Sequence, residues 1–322
     1  MEEANDQLLD DTIASALLAL RFAEGVRRDT VGLFESMLDQ VRSVILSSDI
    51  DSTWSKARVE SLVLLVGSLI EEHYEAMESR LESVLSPFAV ERTRAAETSL
   101  ARALDSDVTR AAEATAASLV FSTEVLGGPL TEYLADQATA ARRAAARALR
   151  LAAAARLGAA DVADRVTGTK TGRRMTVTDR LGSRTVLPER RGGALDAARN
   201  YMNSLSRSAV MALEAASRML AFTNNKDQIR GVAAVVTLDG RTSKICISRS
   251  GGAWNPETGK PLEFSAVKTP FPGYTPWHLN CRTTLAPVVD GPPADQPTYP
   301  EWLATKSAAF QRDVLGSARY KL

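Results

Sequence analysis

Soft metal ligands are scarce in this chain of 322 residues. It holds two histidines, His73 and His278, and two cysteines, Cys246 and Cys281. Two cysteines do not make a disulfide framework, which points to a reducing compartment, where such a pair binds metal or stays free. Charge of one sign is lacking too: 39 basic residues face 39 acidic ones, so a globally basic nucleic-acid binder is excluded. Long hydrophobic runs are missing. The most apolar stretch, "SLVLLVGSLI" from Ser61 to Ile70, is too short to span a bilayer, so no membrane association is expected. The start, "MEEANDQLLDD", is acidic and lacks the basic and apolar parts of a signal peptide.

Chemical motifs are equally sparse. There is no serine-hydrolase elbow, no internal repeat and no paired acidic motif. "GTKTGRR" lacks the Gly-Lys-Ser/Thr ending of a phosphate-binding loop, and "EEHYE" around His73 lacks the second histidine of a zinc-protease helix. His73 follows Leu69 by four and Ile70 by three, which makes it a core or boundary histidine.

Proline is nearly absent from the first two-thirds. Only Pro87, Pro129 and Pro188 precede Pro256; the other ten of the thirteen lie at or after it, and three of the four tryptophans (Trp254, Trp277, Trp302) fall in the same last part of the chain. This break in composition predicts an α+β protein: a long-helix N-terminal region, then a small C-terminal α+β domain with short strands and Pro-rich loops. Stripes at 3-4 spacing (Ile13, Leu17, Leu20; Phe34, Met37, Val41, Val44; Val59, Leu62, Val66, Leu69) mark the helices. "SSDIDST" and "LGGPL" break them. The segment from Arg92 to Val166 is rich in Ala, the best helix former. Its strip of Arg142, Arg143, Arg147, Arg150 and Arg156 reads as a solvated face.

Four segments result: a helical region 1–166, a basic loop 167–193, a connecting helix 194–228 and a C-terminal domain 229–322. Between Lys170 and Arg191 lie seven basic residues against Asp179 and Glu189. That stretch predicts a mobile loop or short hairpin with a basic surface, open to phosphate or an acidic partner. In the last segment, Val232 to Leu238 suits a buried strand ending in a turn. "AWNPETGKPLEF" suits a hairpin turning at Asn255 to Gly259.

Three of the four soft ligands fall in this last segment. Cys246 lies on one side of the hairpin; His278 and Cys281 lie on the other, with a spacing that lets one tight turn present both. A zinc ion takes about four ligands from thiolate, imidazole and carboxylate. Clipping a loop-rich segment with a structural zinc would supply order that a small core cannot. Asp239 is the fourth candidate. On one continuous helix it would lie roughly 10 Å from Cys246, so the pairing needs a bend at Gly240; the rival role for Asp239 is a turn cap or an ion pair. The alternative to metal is a buried thiol pair beside a hydrogen-bonded histidine. A common site requires the two sulfurs and the imidazole nitrogen to lie roughly 3–4 Å apart.

"TLDGRTSKIC" (Thr237 to Cys246), Gly251-Gly252, "TPFPGYTPWHLNCR" (Thr269 to Arg282) and "YPEWLATKSAAFQRDVLGSARY" (Tyr299 to Tyr320) resemble the Mu-F-like head morphogenesis family, the minor head proteins of tailed bacteriophages. The resemblance covers about the last third of the chain. It implies a low-copy virion protein of the capsid interior, assembled in the host cytoplasm. Its partners would be the portal protein and other head proteins, with packaged DNA meeting the Lys170–Arg191 segment. It implies no catalytic activity. Relatives often read Asn-Cys-Arg-Cys where this chain has "NCRT", which shifts the fourth position onto Asp239 or a water. Two alternatives stand beside it. One is a zinc-dependent hydrolase or nuclease with Asp239 or Glu263 as base, and the other is a carrier module for effector delivery.

Overall fold

The structure is a computed structural model that describes residues 2–48, 54–178, 184–238, 241–291 and 299–315. It is an α+β protein. Five helices come first: α1 (Glu2–Ser47), α2 (Lys56–Leu104), α3 (Glu113–Ser122), α4 (Leu130–Ala154) and α5 (Ala159–Thr167). A hairpin of β1 (Thr169–Thr178) and β2 (Arg184–Arg191) follows, then α6 (Asp196–Asn224). The rest is β3 (Gly231–Val235), α7 (Lys244–Ile247), β4 (Ala253–Trp254), β5 (Thr284–Val288), α8 (Tyr299–Ala304) and α9 (Ala308–Leu315). Among the described residues no helix is long and apolar enough to cross a membrane.

The chain forms two compact units, neither contiguous in sequence. Residues 1–23, 84–128 and 207–322 make the first; residues 24–83 and 129–206 make the second. The segment from residue 229 onward therefore shares a unit with the start of α1 and the end of α2.

In the second unit α4 buries Leu130, Leu134, Ala141, Ala145, Leu149 and Ala152, a 3-4 stripe whose alanines permit close packing. The ion pairs Arg150–Glu60 (2.7 Å) and Arg142–Glu71 (2.9 Å) tie α4 antiparallel to α2 along an exposed seam. Two members of the arginine strip are thus spent within the fold, on a solvated face. The basic segment forms a hairpin, antiparallel from Thr169↔Arg191 to Thr178↔Arg184 with an irregularity between Lys170 and Arg174. The expected basic surface needs one correction. Arg190 is 1% exposed and pairs with Asp39 and, at 3.5 Å, with Glu35. Arg199 reaches Glu35 at 2.8 Å and the Arg190 carbonyl at 3.0 Å. Burial raises the Glu35 carboxyl above its ordinary range, against the pull of Arg199 and Arg190. Lys170 stays exposed and pairs with Asp39 at 3.3 Å. The side chains of Arg173, Arg174, Arg180 and Arg184 lie outside the described residues.

In the first unit the sheet runs β4-β3-β5, antiparallel throughout. All five residues of β3 are buried, because both faces of this central strand are covered. Val232, Ala234 and Val236 face Phe222 of α6, Trp254, Leu285, Cys246 and Cys281. Ala233 and Val235 face the other way: Ala233 packs with Ala253, Leu262 and Val288, and Val235 with Leu9, Ile13, Ala286 and Trp302. This is the period of two that a strand imposes. The expected strand ends earlier than Leu238, which is exposed with φ of 46°. Trp254 is fully buried, and its Nε1 donates to the Thr269 carbonyl at 2.9 Å. Its indole lies over Gly252, where a Cβ would come within 2.0 Å of the ring. The turn from Asn255 to Gly259 closes as expected: Asn255 N–H donates to Lys260 O at 2.9 Å, and Gly259 sits at φ of 67°.

Candidate metal centre

Two short pieces of chain present the ligands. The first is α7, a single turn. Ser243 caps it, its hydroxyl accepting the Cys246 N–H at 3.2 Å. The cap fixes the direction of the turn so that Cys246 is 2% exposed, while Ile245 and Ile247 on either side are 44% and 51% exposed. The second piece is the turn His278 to Cys281, closed by the Cys281 N–H donating to His278 O at 3.1 Å. Asn280 takes the left-handed conformation there (φ 60°) and its N–H donates to Ser208 of α6 at 3.0 Å. The turn is therefore anchored from both ends before any ligand is considered.

The two pieces meet. Cys246 Sγ lies 3.1 Å from His278 Nε2 and 3.7 Å from Cys281 Sγ. The three ligand atoms all lie within 4.8 Å of one another. The His278 ring is oriented by Nδ1, which donates to the Leu279 carbonyl at 2.9 Å. That bond fixes the tautomer and leaves the Nε2 lone pair directed at the sulfurs, the arrangement found behind metal-bound imidazoles. The Ser243 hydroxyl lies 2.7 Å from Nε2.

The charge of the cluster follows from its contacts. The Cys246 thiol is pushed down to about 4, chiefly by the hydrogen bond from Cys281. The hydroxyls of Ser243 and Thr283 act in the same direction, against desolvation by burial. Cys281 is pushed up, first by that same bond and then by burial and the neighbouring charge. Arg249 stacks on Trp277, its guanidinium carbon 4.5 Å from the ring centroid. Burial lowers its pKa, and the charges of Cys246 and Cys281 oppose that lowering. Two thiolates and an imidazole with its proton turned away are a set that could hold a metal ion.

The sequence window is therefore a spatial cluster for Cys246, His278 and Cys281. Asp239 lies outside the described residues, so the fourth position is not assigned from it. Glu263, the other candidate base, is exposed, and its carboxylate is held by Arg230 at 2.7 and 2.8 Å. His73 is a half-buried helix residue whose pKa is lowered by burial, as a boundary histidine should be. Sequence reasoning missed Ser243, Thr283 and Arg249. Ser243 had a signal, since a serine three residues before the buried residue of a short helix reads as a cap. Thr283 and Arg249 had none. No protein-family model, no curated protein and no solved structure matches the chain.

Proposed function

We propose that the chain is a minor head protein of a tailed bacteriophage, associated with the portal, whose C-terminal domain is clipped by a structural zinc. One observation carries the reading. Cys246, His278 and Cys281, which anchor the resemblance to the head morphogenesis family, are also the residues that the fold brings to one point. Zinc fits their spacing. A tetrahedral site with Zn–S near 2.3 Å and Zn–N near 2.0–2.1 Å separates its sulfurs by about 3.8 Å, and sulfur from nitrogen by about 3.6 Å. The corresponding separations here are 3.7 Å and 3.1 Å, so small rotations admit the ion. Asp239 or a water completes the shell.

A structural rather than catalytic role is supported by the setting. Both sulfurs belong to the apolar cluster of Phe222, Trp254 and Leu285, and the carboxylate of Glu263 is engaged by Arg230. The zinc would join α7 to the 278–281 turn and so brace the face that carries Trp277 and Arg249. Portal and other head proteins are the partners of this reading, with packaged DNA meeting the hairpin.

Location tests it. Purified particles and empty heads from the phage locus encoding the chain should contain it at low copy, co-sedimenting with the portal. Particles that assemble with portal and capsid protein but contain none of it would overturn the proposal.

A further inference from the structure

We propose that Cys246 and Cys281 are also a redox pair, which a peroxide converts to a disulfide with expulsion of the metal. The second half of this statement rests on the zinc reading above; the first half does not. The two sulfurs are 3.7 Å apart, in direct hydrogen-bonding contact. A disulfide needs about 2.05 Å, so they must close by about 1.7 Å, within reach of two side-chain rotations. They are the only two cysteines in the chain, so neither has another intramolecular partner.

The surroundings select the oxidant. Cys246 and Cys281 are 2% and 1% exposed, which shuts out a glutathione-sized disulfide but not hydrogen peroxide. Entry needs only a local opening of α7, a single turn whose flanking Ile245 and Ile247 already face water. One thiolate attacks a peroxide oxygen, breaking the O–O bond to give a sulfenic acid and, after protonation, water. The second thiolate attacks the sulfenic sulfur, forming the S–S bond and releasing the oxygen as a second water. Over both steps two thiolates lose two electrons, one peroxide gains them, and two protons are taken up. The adjacent sulfur stops the oxidation at a reversible stage, where an isolated thiolate would go on to sulfinic acid.

A disulfide has no thiolate to offer. The ion then keeps only His278 of the three and leaves. The cross-link between α7 and the 278–281 turn does not leave with it: a covalent bond takes the place of the metal. The same two residues therefore pin the same two pieces of chain in a reducing medium, through zinc, and in an oxidising one, through sulfur.

The experiment uses the full chain, reduced and zinc-loaded, exposed to hydrogen peroxide. Released zinc is read with a chromogenic chelator, and the linkage by intact mass and peptide mapping without reductant. The expected result is an intramolecular Cys246–Cys281 bond, a mass lower by two hydrogens, one zinc freed per chain, and reversal of all three by dithiothreitol with zinc restored. Sulfinic acid at either cysteine, an intermolecular dimer, or two thiols still open to alkylation would overturn the pair. If the chain never takes up zinc yet forms the internal bond, the redox pair stands and the zinc reading falls. If zinc binds and is released without that bond, the zinc reading stands and the redox pair falls.

Discussion

Stripping the metal from the full chain is the most direct perturbation, and its size follows from the site. The ligand atoms lie together: Cys246 Sγ is 3.1 Å from His278 Nε2 and 3.7 Å from Cys281 Sγ. An ion held there stabilises the folded state by mass action. With free zinc at a hundredfold excess over its Kd, the folded state gains about 2.7 kcal/mol; at a thousandfold, about 4.1 kcal/mol. In a unit of roughly 150–250 residues each kcal/mol moves Tm by about 2–4 °C. Chelation should thus lower Tm by about 5–11 °C at the lower excess. It should not unfold the chain, because Trp254, Phe222 and Leu285 keep their core around the sulfurs. Hydrogen exchange should locate the loss of protection in α7 and in the 278–281 turn rather than in β1 and β2. Cys281→Ser should reach the same low Tm without chelator and bind no zinc, since a hydroxyl is a poor ligand. A Tm that stays within about 1 °C on chelation of a chain shown to hold zinc would refute the reasoning. So would a full equivalent of zinc on the Cys281→Ser variant.

Three further outcomes are expected. Zinc binding near neutral pH should release a proton from the cysteine pair, because the bond to Cys246 and burial push the Cys281 thiol up. Affinity should therefore rise about tenfold per pH unit, and calorimetry in buffers of different ionisation enthalpy counts the protons. Trp302→Ala should cost about 3–5 kcal/mol in urea denaturation, since the indole is 3% exposed among Leu9, Ile13, Val235 and Ala286 and donates to Asp10. Arg190→Ala should cost about 3–5 kcal/mol by leaving buried Glu35 short of a partner, whereas Arg191→Ala on the exposed side should stay within about 0.5 kcal/mol; equal effects would mean that burial does not separate the two arginines.

Much of the architecture was legible because it is local. Helical stripes, the breaks at "LGGPL", the apolar run of β3 and the turn at Asn255 to Gly259 are all set by neighbours a few positions away. The cysteine and histidine window was legible for another reason, rarity: in a chain with four soft ligands, three in one segment stand out. What the sequence concealed is long-range. Arg190 looked like one more basic residue of a surface hairpin, since its partner Asp39 lies 151 positions away. Thr283 was hidden by abundance, because a hydroxyl that donates to a sulfur cannot be told in sequence from one that faces water. The compact units were hidden because the residues that complete the first come from both ends of the chain.

That last feature constrains how the protein can be made. Asn5 accepts the Val289 N–H and donates to the Asp290 carbonyl, 285 positions on. Asp10 receives Trp302 and Lys306, separated from it by 292 and 296 positions. During synthesis α1 is made long before the sheet, and its buried face (Leu9, Ile13) has no sheet to cover it until β3 and β5 have left the ribosome. Translation at about 5–20 residues per second leaves that face bare for roughly 15–60 seconds. The helix α1 is therefore a client for whatever shields nascent apolar surface, and a chain stalled before β5 is exposed there. Closing so long a loop costs little extra in equilibrium stability, because the entropy grows only with the logarithm of length. It costs time instead, and β5 and the Trp302 of α8 are what end the wait.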